Sequence, residues 1–286
     1  MKGLDKLKEK LPDYQGTKIR KFLVVAFIVF ISSLLFQLIA DSLPRFFRNI
    51  VILQILAPFF PILGSIIILS IGFTLVHSFW RVRDKYLSEF GELAYQKAFK
   101  FIVTSIPMII SVTVHGFFPS DFLVPFNDSQ NLNWYLAYPI LDLFFNFSII
   151  SLVIRLLFFF SLFSFLLVFM SKTLKAFGID YMGLVYIYYP EDSTLQNHEI
   201  YSILRHPTYH SLMLLSIGGI FLRTSIYSII YLIIFLIGFN IHLKFIEEKE
   251  LIERFGEGYK KYKEKVPAFF VRVKDLKKYF SFVFKK

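Results

Sequence analysis

The sequence predicts an all-α protein: a multi-pass transmembrane helical bundle of about six spans that ends in a C-terminal helical hairpin. Hydrophobic residues make up 56% of the 286 positions, and several apolar runs exceed the roughly 18 residues that a bilayer span requires. These runs are continuous, whereas the strands of a membrane β-barrel alternate apolar and polar residues. The pattern therefore favours helices over a barrel.

Composition excludes several kinds of site. The chain contains no cysteine, which excludes disulfides, thiolate metal sites, a cysteine nucleophile and S-palmitoylation. The net charge of +11 could suggest nucleic acid, but the basic residues flank the apolar runs, as they do in proteins that face anionic lipid headgroups. We therefore expect the lipid bilayer as a partner, with no nucleic acid and no metal.

The first third of the chain predicts an interfacial segment and two spans. Residues 1–21 carry seven Lys and Arg and predict a short interfacial helix; they do not resemble a cleavable signal peptide, because the following apolar run is too long. The first span is predicted from Phe22 to about Ala40. The second apolar block, 50–80, is longer than a bilayer needs and is expected to kink at its prolines, Pro58 and Pro61.

The middle of the chain predicts a charged loop and two further apolar blocks. Residues 81–100 are expected to form the loop, and 101–118 the third span. Residues 134–171 are again over-long, so their first part is predicted to lie at the interface. Arg155 falls inside this block, where we expect it to pair with Asp142 or another polar group of the bundle.

The last third predicts a long polar connection and the hairpin. The connection covers 172–204, and loops of this length are often lids or binding loops. The hairpin arms are predicted at 207–222 and 226–255, with a turn at 223–225. Residues 268–286 alternate basic and apolar side chains and are expected to lie on the membrane surface.

The distribution of positive charge predicts the topology. All but four of the 32 Lys and Arg fall in the N-terminal segment, the 81–100 and 171–206 connections and the tail after residue 243. Because cytoplasmic segments are enriched in Lys and Arg, we expect six spans with both termini cytoplasmic. A re-entrant 50–80 block would change the number of spans, but both polar clusters of the hairpin would still face the cytoplasm.

Two polar clusters flank the hairpin, and folding it should bring them together. Proline is favoured at the first position of a helix, so Pro207 predicts a helix start whose free amides, with Arg205 beside them, can bind an anion. On the other arm, carboxylates at the membrane edge invite a cationic ligand, although a merely solvated helix exit would look the same. At helical spacing, these residues fall on or near one face: Asn240, Lys244, Glu247, Glu248 and Leu251.

The two clusters together resemble the isoprenylcysteine carboxyl methyltransferase family and the related phospholipid methyltransferases. The resemblance covers about residues 165–270, including the stretch from Ser171 to Gly178. Two positions differ from the usual pattern: Ser211 stands where glycine is usual, and Glu199-Ile200 precedes Tyr201. The matching residues are Arg205, His206, Pro207 and Tyr209, then Glu247, Glu248, Leu251, Phe255, Gly256, Tyr259, Tyr262, Val266 and Pro267.

The resemblance implies S-adenosylmethionine as the methyl donor, bound in a cytosolic cofactor-binding region, and a membrane lipid or prenylated acceptor that arrives from the bilayer. It implies that one of Glu247 and Glu248 helps to hold the cofactor, while Arg205 and the other glutamate orient the acceptor. We assign the catalytic roles to Arg205 and Glu247, and we expect Asn240 and Lys244, on the same helical face, to contact the acceptor substrate. The residues that it assigns to the cofactor are Tyr201, His206, Pro207, Tyr209 and Glu248. It also divides the chain into N-terminal helices at 1–165, a catalytic core at 166–270 and a basic tail at 271–286.

The preferred function is methyl transfer to the carboxylate of a prenylated cysteine or a similar lipid-borne acceptor. Methylation of a phospholipid amine remains an alternative. A third possibility is an NADPH-dependent enzyme similar to the sterol reductases, which share a comparable C-terminal hairpin but carry a different closing motif. A scaffold that keeps the fold without catalysis is the fourth.

Overall fold

The computed structural model describes residues 4–116, 132–144, 148–178, 188–189, 191 and 193–284. These residues form helices and contain no strand, which confirms the predicted all-α class. The α-helices of the described ranges are α1 Leu4–Glu9, α2 Ile19–Phe46, α3 Val51–Leu56, α4 Phe60–Arg81, α5 Arg83–Phe90, α6 Ala94–His115, α7 Leu132–Ala137, α8 Ser148–Phe177, α9 Pro207–Arg223, α10 Ile226–His242, α11 Glu248–Lys265 and α12 Leu276–Phe284.

Helices α2, α4 and α6 pack against one another and form the N-terminal half of the bundle. The 50–80 block is interrupted, as expected, by a short 3-10 turn at Ala57–Phe59 that contains Pro58. The prediction that 81–100 forms a loop was wrong. Helix α5 and the first two turns of α6 occupy it, and charged pairs such as Lys85–Glu89, one turn apart, suit an exposed helix face.

A buried polar network joins the three N-terminal helices. Nε2 of His115 on α6 lies 2.7 Å from Oδ2 of Asp41 on α2, and Nδ1 of His115 lies 3.4 Å from the Ser65 hydroxyl on α4. The Ser65 hydroxyl donates to Gln37, whose amide donates in turn to Ser111. Hydrogen bonds between membrane helices stabilise their packing, so this network fixes the relative positions of α2, α4 and α6.

The C-terminal half consists of α8 and the hairpin of α9 and α10, which packs on α4. The turn of the hairpin lies at the predicted place: Thr224 is left-handed, and Ser225 and Ser228 form a capping box at the start of α10. Arg155 lies 3.8 Å from Asp142 and donates to the carbonyl of Leu222, so the predicted pairing is confirmed.

Five helical runs of the described chain are long and apolar enough to cross a membrane: Gly16–Phe46, Val51–Arg81, Arg83–His115, Ile149–Phe177 and Ile226–Lys265. The remaining predicted span is the first arm of the hairpin, α9, whose 17 residues would extend about 25 Å. Many large apolar side chains on the outer faces of α2, α4 and α8 are exposed, as expected where lipid surrounds a bundle. The multi-pass helical bundle is therefore confirmed.

The tail packs on the bundle along one face. Tyr279 and Val283 of α12 are buried against Phe169 of α8 and the segment around Ile203. The Tyr279 hydroxyl donates to Nε2 of His210, whose Nδ1 donates to the carbonyl of Phe269. Helix α8 itself runs without a break past residue 165, where the sequence predicts a domain boundary.

Candidate functional site

The start of α9 borders a small cavity at the polar end of the hairpin. His206 precedes the helix and Pro207 occupies its first position, as predicted. The first amides of a helix have no partner within the helix, so they present N–H groups to this cavity. The cavity measures about 80 Å³ and is lined by Phe177, Tyr201, Arg205, His206, Pro207, Thr208, Tyr209 and Glu247.

A π-helical turn at Leu243–Glu247 joins α10 to α11 and sets the orientation of both glutamates. A π-turn inserts one residue into the regular helical repeat, so the residues before and after it lie on different faces. Asn240 and Lys244 are exposed, whereas Glu248 and Leu251 are buried. A regular helix would have placed these residues near one face, as the sequence predicts.

Glu247 lies at the wall of the cavity and bridges two residues of the opposite arm. Its Oε1 accepts from Nδ1 of His206 at 3.0 Å, and its Oε2 accepts from the Tyr209 hydroxyl at 2.8 Å. The carboxylate is therefore held in one orientation at the start of α9. Charge-assisted hydrogen bonds of this kind are about twice as strong as neutral ones, so the three side chains form a rigid unit.

Glu248 faces the other way, into a buried ion-pair cluster. Its Oε1 accepts from Nε and Nη2 of Arg205 at 3.0 and 2.5 Å, and its Oε2 lies 2.6 Å from Nζ of Lys263. Arg205 also donates to the carbonyls of Lys263 and Val266. Glu248 is only 5% exposed. The cluster thus ties the start of α9 to the end of α11.

The segment after α11 completes this connection through its backbone. The amide of Arg205 donates to the carbonyl of Pro267, and the amide of His206 to that of Ala268, both at 2.9 Å. Helix α11 bends at Gly256, whose φ of 55° is readily adopted only by glycine. Beyond the bend, the Tyr262 hydroxyl donates to the carbonyl of Tyr201 at 2.6 Å. The segment that carries the Phe-Gly…Tyr…Val-Pro pattern therefore packs against the residues before α9 and holds them in place.

His206 donates to both glutamates, because its Nε2 also lies 3.3 Å from Oε1 of Glu248. Burial lowers the pKa of His206, but the carboxylates of Glu247 and Glu248 raise it by more, so its pKa lies above the usual value near 6.5. Both ring nitrogens act as donors in this arrangement, which is the geometry of the protonated ring.

The raised pKa of His206 predicts a pH-dependent stability. A group whose pKa is higher in the folded than in the unfolded protein stabilises the fold fully below the unfolded value, and this contribution is lost as pH rises through the folded value. The excess melting temperature of the wild type over His206→Gln should therefore be largest near pH 6 and shrink toward alkaline pH. Thermal unfolding in detergent between about pH 6 and pH 9 measures it, with His198→Gln, an exposed histidine, as the control. A constant difference across this range would contradict the assignment.

The structure places the predicted site residues in three groups. Around the cavity lie Tyr201, Arg205, His206, Pro207, Tyr209 and Glu247. Glu248 lies behind them in the ion-pair cluster. Asn240 and Lys244 stand apart: the Asn240 amide donates to the carbonyl of Leu236 in its own helix, and the Lys244 ammonium lies over the Phe245 ring.

Sequence reasoning missed four residues at or beside the site. Phe177 and Thr208 line the cavity, and Lys263 pairs with Glu248. His242 is the last residue of α10, directly before the π-turn. It is 3% exposed and has no hydrogen-bond partner for either ring nitrogen within the described chain. Its ring lies among those of Phe73, Trp80 and Tyr209. The sequence signal for His242 is weak, since an isolated histidine in an apolar helix is usually structural.

Ser211, which departs from the resemblance, is buried in α9 and donates to the carbonyl of Pro207 at 3.0 Å. Its hydroxyl therefore hydrogen-bonds within α9, and Ser211 does not line the cavity.

The comparison with protein families matches the segment that contains this site. Residues 154–258 match the model of the phospholipid methyltransferase family, and this segment contains most of α8, the hairpin and most of α11. This match confirms the predicted resemblance to the isoprenylcysteine carboxyl and phospholipid methyltransferases. Neither the curated proteins nor the solved structures compared with the chain include a match. Residues 154–258 are thus similar to a membrane methyltransferase domain, and the Tyr209–His206–Glu247 unit lies within this segment.

Proposed function

We propose that the protein is an integral membrane methyltransferase that transfers the methyl group of S-adenosylmethionine to a lipid-borne acceptor. The preferred acceptor is the carboxylate of a prenylated cysteine or a similar group. The observation that carries the proposal is the convergence of Tyr209, His206 and Glu247 on one cavity at the start of α9, within the segment that matches the methyltransferase family.

The donor set fits the amino-acid end of S-adenosylmethionine. That end carries a carboxylate and an ammonium group. The amides at the start of α9 suit the carboxylate, and the Glu247 carboxylate suits the ammonium. The cavity of about 80 Å³ is smaller than the roughly 300–1,000 Å³ of ligand sites, so it corresponds to part of the cofactor. Residues 179–187, which fall in the predicted binding loop, lie outside the described residues.

Bound S-adenosylmethionine supplies an electrophilic methyl group on a positively charged sulfur. A carboxylate acceptor needs no base, because opposite charges are neutralised as the methyl group moves; exclusion of water and correct positioning then supply the rate. The environments of the two glutamates are consistent with a carboxylate acceptor. Glu248 is paired with Arg205 and Lys263, and Glu247 accepts from His206 and Tyr209, so both are poor bases.

One observation favours the second candidate, methylation of a phospholipid amine. An ammonium group must lose a proton before it can accept a methyl group, which requires a base. His242 is buried near the Tyr209 ring, and its ring nitrogens have no protein partner in the described chain, so it could accept that proton. Aromatic rings such as those of Phe73 and Trp80 also suit a cationic headgroup.

The first test is ligand binding to detergent-purified protein by thermal shift, with S-adenosylhomocysteine as the probe and NADPH as the control. We expect S-adenosylhomocysteine to raise the melting temperature, because a ligand that binds only the folded state stabilises it. Stabilisation by NADPH alone would replace the methyltransferase proposal with the reductase one. No change in melting temperature with either ligand would favour the scaffold.

The acceptor is then identified by transfer of radioactive methyl from S-adenosylmethionine to two probes, N-acetyl-S-farnesylcysteine and vesicles of phosphatidylethanolamine. We expect label in the prenylcysteine as a methyl ester, which mild base releases as methanol. Base-stable label in the phospholipid would identify the amine branch. Label in the phospholipid that is lost in His242→Phe, with binding of S-adenosylhomocysteine retained, would identify His242 as the base.

The orientation of the site gives a separate prediction. The proposal requires that the end of α11 and the N-terminal segment face the cytoplasm, where most Lys and Arg lie. Reporter fusions after Asn49, between α2 and α3, and after Phe284 should therefore report opposite sides of the membrane. A fusion before Ile19 should report the same side as Phe284. Any other combination would contradict a cytoplasmic site.

A further inference from the structure

A large cavity of the described chain shares no lining residue with the cavity beside Glu247. It measures about 670 Å³ and separates the N-terminal segment and α2 from α6. Ligand sites typically enclose about 300–1,000 Å³, so it can hold a molecule of that size. Its wall is mostly hydrocarbon, for example Leu11, Phe22, Ala26, Ile102 and Pro107.

Specific contacts hold the N-terminal segment over this cavity. The amide of Asp13 donates to Oε1 of Gln96 at 2.7 Å, and the Gln96 amide group donates back to Oδ2 of Asp13 at 2.8 Å. The ring of Tyr14 stacks on Phe22 and meets the ring of Phe99 edge-on at 4.8 Å. Polar and aromatic contacts thus fix the roof of the cavity, which is therefore a built feature of the fold.

The cavity changes in polarity along its length. The polar part of its lining comes from Lys8, Gln15 and Gly16, before α2, and the apolar part from the first turns of α2 and the stretch from Phe99 to Pro107 of α6. At 1.5 Å per residue this stretch covers about 12 Å of depth, within a hydrocarbon core of roughly 30 Å. The cavity therefore begins at the membrane interface and ends among apolar side chains.

We propose that this cavity is a binding site for an anionic glycerophospholipid, with one acyl chain between α2 and α6 and the headgroup beside Lys8. Charge supports an anionic headgroup: residues 4–21 contain six Lys and Arg but three acidic residues. Lys8 is exposed, and its nearest acidic atom, Oδ1 of Asp5, lies 3.8 Å away, so it can also contact a phosphate.

This lipid is distinct from the methyl acceptor. The cavity shares no lining residue with the cavity beside Glu247. Phe79 and Trp80 of α4 lie between the two, since Phe79 packs on Tyr95 of α6 and Trp80 on His242 of the hairpin. The proposed site is therefore a structural lipid site of the N-terminal half, and it does not depend on the proposed function.

Native mass spectrometry of the full chain, delipidated and then titrated with phosphatidylglycerol or phosphatidylcholine, tests the proposal. We expect one phosphatidylglycerol to be retained at low lipid excess, with phosphatidylcholine bound at least fivefold more weakly. Ala26→Trp should fill the cavity and abolish retention. Val25→Trp, its neighbour on the exposed face of α2, is the matched control and should bind as the wild type does.

The headgroup contact has its own pair of variants. Lys8→Glu should reduce the preference for phosphatidylglycerol by roughly fivefold or more, the effect expected for one basic residue at an anionic surface. Lys6→Glu reverses a charge on the same short helix but does not line the cavity, so it should retain the preference. Equal retention of both lipids, or equal effects within either pair of variants, would overturn the proposal and indicate ordinary surrounding lipid. Lys8→Glu keeps the test valid if Ala26→Trp does not fold.

Discussion

Glu248→Ala is expected to reduce the free energy of unfolding by about 3–5 kcal/mol, because it leaves a buried guanidinium without its carboxylate. The side chains of Arg205 and Glu248 are 8% and 6% exposed, and Lys263 provides the second cation. The Arg205 guanidinium cannot reach water without opening the contact between α9 and α11, whereas the Lys263 side chain is 38% exposed. Chemical unfolding in detergent, followed by circular dichroism, measures the change.

The matched control is Glu253→Ala on the same helix. Glu253 is largely exposed and lies 3.9 Å from Lys249, and pairs of this type contribute about 0–1 kcal/mol. The double variant Arg205→Met with Glu248→Met should recover part of the stability, because it removes both charges together. A loss of similar size at Glu248 and Glu253 would show that the buried cluster is not a major support of the fold.

Glu247→Gln is expected to lower methyl transfer at least about 100-fold, as loss of a positioned charged group at a reaction centre does. The thermal shift produced by S-adenosylhomocysteine should disappear in the same variant. The reason is specific: the amide keeps the shape of the side chain but removes the charge that we assign to the cofactor's ammonium. The fold should remain, because Tyr209 can still donate to an amide oxygen.

Glu253→Gln makes the same chemical change on the exposed face of α11 and should leave both readouts at wild-type values. The two glutamates of the motif are thereby separated by effect, with Glu248 acting mainly on stability and Glu247 mainly on binding. If Glu247→Gln bound S-adenosylhomocysteine as the wild type does, Glu247 would not contact the cofactor, whereas loss of stability without loss of binding would assign it to the fold.

Much of the C-terminal half could be predicted from the sequence because its signals are local. Pro207 marks a helix start by its own stereochemistry, and Arg223-Thr224-Ser225 interrupts an apolar run that is otherwise too long. A hairpin must bring its two ends together, so the meeting of His206 with Glu247 and Glu248 follows from the order of the elements alone.

The features that could not be predicted depend on contacts between distant segments. The hydrogen bonds between Asp41 and His115 and between Asp13 and Gln96 each join residues more than 70 positions apart. The charged stretch 81–100 looks like a loop by composition, but the bundle stabilises it as helix. His242 gives only a weak sequence signal, because its place beside the site depends on the rings of Phe73, Trp80 and Tyr209 around it.

The π-turn at Leu243–Glu247 adds one residue to the helical repeat, so the second arm of the hairpin consists of two consecutive helices whose faces are rotated relative to each other. One half presents its own stripe to the lipid, and the other presents a separate stripe to the polar centre. Substitutions in the lipid half can therefore accumulate without rotating Glu247. Insertion or deletion of a single residue, in contrast, would rotate every side chain beyond it by about 100°. In this arm, spacing is under stricter physical constraint than composition.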